Sequence, residues 1–293
     1  MALELHNDPE LFTASVKFTA DQTGFAPNLI EKDYLCSLVL AYLESSSDDS
    51  LIFKGGTCLA KVYFDFNRLS EDLDFVVSTP TEATRKERSA RMTSSKKTIS
   101  DLPSTHRILR VQEPLAGRNQ SRQYLATLSY TSFVTGNEET IKLEIGLREP
   151  LLTKPIEAEA RTILLNAANP GKILPAVPVT CLSVEEALAE KFRAALSRRD
   201  VAIRDFYDLD YAAARTVVDF HNPEFIEMTR QKLAIPGNDP PNTSDERLAP
   251  LRAQLEARLK PVLRTLDYDA FDLDRAIGIV RALHKDLENT KSK

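Results

Sequence analysis

The chain has no tryptophan, 3 cysteines, 4 histidines and only 9 glycines in 293 residues. Cys36, Cys58 and Cys181 lie far apart and are odd in number, which argues against a disulfide framework. With so few histidines they form no zinc-ligand spacing either, and their apolar neighbourhoods suit small core residues. No apolar run approaches the roughly 18 residues of a membrane span. The first residues, Met1-Ala-Leu-Glu-Leu-His, lack the basic-then-apolar pattern of a secretion signal, so a reducing, cytoplasmic setting and no membrane partner are expected. The net charge of −5 is mild, so no global basic field points to nucleic acid, and any such surface must be local. What remains is an ordinary globular composition, 42% hydrophobic and 28% charged, long enough for one large or two modest domains.

With glycine scarce, an adjacent pair is informative. Leu51-Ile52-Phe53 reads as a short buried strand that delivers Lys54-Gly55-Gly56-Thr57, and Thr57 is placed to cap a helix carrying Leu59, Val62, Tyr63 and Phe66 on one side and closing at Arg68. Glycines let backbone approach a phosphate, and the free N–H groups of a first helical turn receive it. From Ser70 to Val77 polar and apolar residues alternate. Ser70, Asp72 and Asp74 share one face, Leu73, Phe75 and Val77 share the other, and Glu71 points away from the aspartates. Two carboxylates on one face suit Mg²⁺, which takes one or two of them plus phosphate oxygens. A strand with two solvated aspartates is the plain alternative.

Around this pair the chain reads in order. Helices are expected over Pro9 to Ala20 and Asn28 to Leu43, with Glu31-Lys32-Asp33 as a solvated face on the second, followed by a polar turn from Ser45 to Ser50. Thr81 to about Ser100 is basic and suits a surface helix, with an RNA-facing patch as the alternative reading. Strands follow over His106 to Gln112, Gln123 to Val134 and Glu139 to Ile145, with Gly136-Asn137 as the hairpin turn. On the last of these, Lys142 and Glu144 face away from Ile141, Leu143 and Ile145. Glu144 is a third carboxylate if its strand adjoins the aspartates, and an ordinary surface acid if it does not.

The prolines between Glu149 and Thr180 mark broken structure and a domain boundary. Ser183-Val184-Glu185-Glu186 is a capping box opening a helix to about Arg199. Lys191 falls within that helix's apolar stripe and needs a partner there. It either snorkels or pairs, or it binds a phosphate. Asp205 and Asp208 share a face of the next helix and make salt bridges, with Lys191 or Arg193, or supply a base. The remainder reads as a bundle with helices over Tyr211 to Asp219, Pro223 to Leu233, Asp245 to Leu266 and Leu273 to Glu288. Ala234 to Asn242 is a loop, and Asp267 to Asp274 cap the last helix.

Taken in order over about residues 28 to 211, Glu31-Lys32-Asp33-Tyr34, Phe53-Lys54-Gly55-Gly56-Thr57, Arg68-x-Ser70-Glu71-Asp72-x-Asp74, Ile141-Lys142-Leu143-Glu144-Ile145, Glu190-Lys191 and Arg204-x-x-Tyr207-Asp208 resemble the AbiEii/AbiGii-type nucleotidyltransferase toxins. These belong to the DNA polymerase β-like nucleotidyltransferase superfamily. The resemblance implies an α+β fold, a mixed sheet with flanking helices plus a C-terminal helical domain forming the other wall of a cleft. The expected division is a helical region over 1–48 packed on the core, a catalytic core over 49–180 and a helical domain over 181–293. It further implies that Lys54, Gly55, Gly56, Thr57, Arg68 and Ser70 bind NTP, that Asp72 and Asp74, with Glu144, hold two Mg²⁺ ions, that Lys191 contacts phosphate and that Asp208 or Asp205 assists. The implied activity is NMP transfer from an NTP to a hydroxyl, a tRNA 3′ end first among acceptors, by a toxin of a toxin–antitoxin or phage abortive-infection system with a cognate antitoxin. Transfer to a protein or small molecule, and a non-catalytic nucleotide- or antitoxin-binding scaffold, are the other readings.

Overall fold

The computed structural model describes residues 4–46, 51–169 and 174–289, so part of the turn expected from Ser45 to Ser50 lies outside the described residues. Two compact units are present, Met1–Leu151 with Pro155–Leu182, and Leu152–Lys154 with Ser183–Lys293. Among the described residues no helix is long and apolar enough to cross a membrane.

The first unit is built on one sheet. Its elements are helices α1 (Pro9–Thr23) and α2 (Pro27–Ser45), strand β1 (Ile52–Lys54), the short helix α3 (Gly55–Cys58), β2 (Asp72–Val76), α4 (Arg85–Arg91), α5 (Thr93–Thr105), β3 (Arg110–Arg118), β4 (Gln123–Thr131), β5 (Glu138–Gly146), β6 (Ile156–Ala160) and β7 (Val177–Cys181). The sheet order is β3-β4-β5-β2-β1-β7-β6. Strands β2 and β5 run parallel, as do β1 and β7, while the other neighbours are antiparallel. This mixed sheet with helices is the α+β architecture expected. One face of the strands, with Phe53, Leu73, Phe75, Tyr124, Ala126, Leu128, Ile141, Leu143 and Ile145, enters the core with α1 and α2. The alternation read from Ser70 to Val77 is thus realised, although the strand itself starts at Asp72.

Helix α2 departs from the expected amphipathic pattern. It is buried on nearly every side, from Leu29 through Leu40, and Glu31 and Asp33 are 0% and 2% exposed. The expected solvated face is therefore an internal one, because a helix apolar all round has no water-facing side on which to place charge. Each acid is satisfied. Glu31 accepts from the Ser132 hydroxyl and from Phe133 N at 2.6 Å, and its burial pushes the carboxyl above the ordinary range. Asp33 pairs with Lys61 Nζ at 2.6 Å and accepts from Thr162 Oγ1 and Ile163 N, both at 3.2 Å. Lys61, 0% exposed, donates also to Ser37 Oγ at 2.8 Å and to the carbonyls of Asp33 and Arg161.

Other elements differ locally. The helix expected to run to Arg68 is only α3 followed by one wide turn over Leu59–Tyr63, where Phe64 N reaches Leu59 O. Asp65 and Phe66 then adopt left-handed conformations, which bend the chain out of the helix. Thr57 does not cap; its hydroxyl donates to the Asp72 carbonyl. The basic segment from Thr81 is two helices, capped by the reciprocal Thr84–Glu87 pair, with Arg88 buried and bonded to the carbonyls of Leu147 and Thr81. The span from Glu149 to Thr180 is not simply broken structure, since it contributes β6 and β7 to the sheet.

In the second unit, α6 (Val184–Ser197), α7 (Ile203–Ala214), α8 (Pro223–Leu233) and α12 (Leu273–Asn289) pack around Phe192, Phe206, Leu209, Phe220, Phe225, Val280 and Leu283. The helix expected from Asp245 to Leu266 is interrupted at Pro250 and Pro261 into α9 (Asp245–Leu248), α10 (Pro250–Gln254) and two tight or wide turns before α11 (Thr265–Ala270). Ser183 caps α6, but Glu186 does not return to it. Glu186 is buried, pairs with Lys232 at 2.7 Å and accepts from Leu152 N and Thr153 N, which ties that crossing segment to the helices. Asp272 caps α12 as expected, accepting from Asp274 N and Arg275 N.

Lys61→Met should destabilise the protein by about 3–5 kcal/mol, because it strands a buried carboxylate, whereas Lys61→Met with Asp33→Leu should recover part of the loss. Urea unfolding of the three proteins measures both.

Candidate active site

The glycine turn is shaped by what lies against it. Gly55 has φ +78°, a left-handed conformation, and a Cβ built there would sit 2.3 Å from Asp74 Oδ2. Glycine is thus required twice, for the backbone angle and for the carboxylate that occupies the side-chain position. At Gly56 a Cβ would lie 2.2 Å from an Nη of Arg68, whose side chain is buried and runs inward to the turn. Arg68 also reaches the Leu69 carbonyl at 3.5 Å. Thr57, through the Asp72 carbonyl, ties the same turn to β2. Lys54, Gly55, Gly56, Thr57, Arg68, Asp72 and Asp74 are therefore brought together, with half-buried Ser70 two residues before β2 begins.

Register completes the arrangement. Lys54 lies opposite Asp74 on β1, Glu144 lies opposite Asp74 on β5, and Lys142 lies opposite Asp72. Residues opposite one another in register point to the same face. Glu144 is thus on the strand adjoining the aspartates. Asp72 is exposed, and Asp74 and Glu144 are half-buried. Glu71 points elsewhere, to Lys32 at 3.1 Å. The donor set is all oxygen, the kind Mg²⁺ prefers, and two carboxylates suffice for an ion that fills its remaining positions with water and phosphate. Among the described residues no three acidic, histidine or cysteine side chains are gathered as a metal cage.

The helical unit holds a separate cluster. Lys191 on α6 lies 2.8 Å from Asp205 Oδ1 and 3.0 Å from Asp208 Oδ2 on α7, and Arg198 reaches Asp205 at 3.4 Å. Both aspartates are buried. The inward lysine thus has its partners, and the salt bridges left open for Asp205 and Asp208 form with Lys191. Arg193 turns instead to Asn238.

Sequence reasoning missed Lys61 and Asp33 as determinants of this site. They fix the wide turn that follows the glycines to α2, so they set where that turn ends. The signal was present: α2 is apolar on all sides, so any charge within it had to be internal and paired.

A family model described as nucleotidyl transferase AbiEii toxin, type IV TA system, matches residues 38–278. No protein of curated function matches the sequence. Among solved structures, the MenT4 nucleotidyltransferase toxin of Mycobacterium tuberculosis H37Rv is similar at 21% identity and TM-score 0.48, over 93% of this chain and 98% of that one. A candidate nucleotidyltransferase from H. pylori is similar at 16% identity and TM-score 0.49, over 87% of this chain and 96% of that one. The protein JHP933 from Helicobacter pylori is similar at 17% identity and TM-score 0.46, over 88% and 94%. Likenesses this distant carry no functional weight.

Gly55→Ala should cost about 1–3 kcal/mol from backbone strain alone and should displace the Asp74 carboxylate. Gly56→Ala, whose contact is the far end of an arginine at an ordinary backbone angle, should cost less. Urea unfolding ranks the two, and a crystal structure of the first variant should show Asp74 in a different rotamer.

Proposed function

The chain belongs to the AbiEii nucleotidyl transferase toxin family of type IV toxin–antitoxin systems, and from that premise we propose that it transfers NMP from an NTP to the 3′ hydroxyl of an RNA, tRNA first among candidates, in a Mg²⁺-dependent reaction. Membership makes it a nucleotidyltransferase that uses NTP and has an antitoxin counterpart. The observation that carries the finer reading is the Gly55 cradle closed by Asp74, with Asp72 and Glu144 on the same sheet face. A role in phage abortive infection and a cytoplasmic place of action belong to the same proposal.

In this reading Lys54 and the backbone of Gly55 and Gly56 receive the triphosphate, with Ser70 at the edge of the turn. Arg68, buried beneath the glycines, lends positive charge there without leaving its position. Asp72 and Asp74 would hold Mg²⁺, which when bound neutralises the phosphates and orients them for attack. The acceptor oxygen bonds to the α-phosphorus, the α–β bridge breaks, and pyrophosphate leaves with that electron pair. The hydroxyl proton passes to a carboxylate of this face. The Glu144 carboxylate holds no hydrogen bond or ion pair among the described residues, so its lone pairs are open to that proton, whereas Asp205 and Asp208 are engaged by Lys191. We assign Lys191 to a substrate phosphate, with Asp208 and Asp205 orienting its ammonium.

Incubation with each α-³²P-labelled NTP and total tRNA should give labelled RNA in Mg²⁺ and none in EDTA. Asp72→Ala should lower transfer by about 100-fold or more, the scale on which removal of transition-state charge stabilisation acts. Lys191→Ala should raise the KM for NTP. A folded, NTP-binding protein that labels no RNA would sink the proposal, and label that stays with protein after RNase treatment would redirect it to a protein acceptor.

A further inference from the structure

The sheet face that carries the aspartates continues beyond them, away from the glycine turn. Across the strands one row reads Leu125, Glu144, Asp74, Lys54, and the next reads Thr127, Lys142, Asp72. Opposite residues share a face with Cβ atoms about 5 Å apart, so the Lys142 stem starts one strand spacing from Asp72 and Leu125 starts two from Asp74. Lys142 is exposed and, among the described residues, its side chain makes no hydrogen bond or ion pair. Leu125 is 37% exposed, an uncommon state for a large apolar side chain here, shared among the described residues only with Ile156 on β6 and Leu266 in the helical unit.

We propose that Leu125, Thr127 and Lys142 form the acceptor subsite, with Leu125 under the base of an RNA 3′-terminal nucleotide and Lys142 on its phosphodiester. This rests on the transfer reaction proposed above. Its direction comes from topology. The glycine turn leaves β1 on one side of β2, while β5 and β4 lie on the other. In phosphoryl transfer the attacking and leaving oxygens lie roughly in line through phosphorus. With pyrophosphate departing toward Gly55 and Gly56, the attacking hydroxyl arrives from the Glu144 side, where Lys142 and Leu125 stand.

The chemistry of the strip selects the kind of acceptor. A cation with no protein partner is matched by a phosphate, and an exposed apolar side chain is matched by the face of a base. Thr127 already donates to Glu113 at 2.7 Å, so its hydroxyl oxygen is left to accept from a ribose or base donor. A serine or tyrosine hydroxyl of a protein would bring no phosphate to Lys142.

The test measures KM for total tRNA and for NTP separately in the wild type, Lys142→Ala, Lys142→Arg and Leu125→Ala. Lys142→Ala should raise the tRNA KM about tenfold and leave the NTP KM within about twofold, as loss of one charge-assisted contact does. It should also reduce the slope of log(kcat/KM) for tRNA against log[salt] by about 0.7. Lys142→Arg should restore most of both, and Leu125→Ala should raise the tRNA KM without changing the salt slope. Filter binding of tRNA without NTP reads the same contact independently of chemistry. If the wild type transfers nothing yet binds tRNA about tenfold more tightly than Lys142→Ala, the reaction assignment falls and the subsite stands. A rise in the NTP KM instead, or unchanged tRNA binding and KM in Lys142→Ala, overturns the subsite.

Discussion

The Asp33–Lys61 pair is the constraint on which the first unit's geometry turns. Both charges are withdrawn from water, and removing two charges from water costs several kcal/mol per ion unless every lone pair and proton finds a partner. Here they do: the lysine meets a carboxylate, a hydroxyl and two carbonyls, and the carboxylate meets a hydroxyl and a backbone N–H besides. Such a network tolerates one arrangement only, because any slip of the wide turn past α2 would leave a charge unpaired. The consequence is positional. The turn that follows the glycines is held at its far end, while Thr57 holds it to β2 at its near end.

From this anchoring the site follows with little further freedom. Gly55 accepts a left-handed backbone, Asp74 fills the space a side chain would take, and the parallel pairing of β2 with β5 sets Glu144 beside it. Three strands contribute the carboxylates and Lys54, which suits a site that must hold charged groups within fractions of an ångström, while Arg68 and Ser70 come from the segment that leads into β2. The Lys191 cluster in the helical unit follows a different logic. Its charges are mutually satisfied, two positive side chains against two carboxylates, and it orders α6 against α7 whatever else it does.

How much of this was legible depended on whether the signal was local. The glycine pair and the two aspartates are readable because a period of two and a rare residue both speak within a few positions. The adjacency of Glu144 was not, since register between strands far apart in sequence is decided by packing. Helix α2 misled because charge on a helix is ordinarily a surface mark, and only its unbroken apolar surroundings betray the exception. Strands β6 and β7 were hidden by proline. Strand β1 meets β7 at Cys181, so Pro178 lies outside that pairing and its missing N–H breaks no bond there. The arginine beneath Gly56 shows a further limit, since no spacing rule distinguishes a buried guanidinium from one that greets a ligand.

The strand order also dictates when the protein becomes able to act. Asp74 lines up with Glu144, seventy positions later, and Phe53 with Cys181, later still, so the central strands cannot be completed until Cys181 has been made. Long-range parallel pairing is slow and demands that both partners be present. A ribosome that has not yet reached β5 and β7 therefore carries the glycine turn and the aspartates without the neighbours that align them. For a toxin this is a built-in delay: the cell that synthesises it is not exposed to a working site until β7 has emerged.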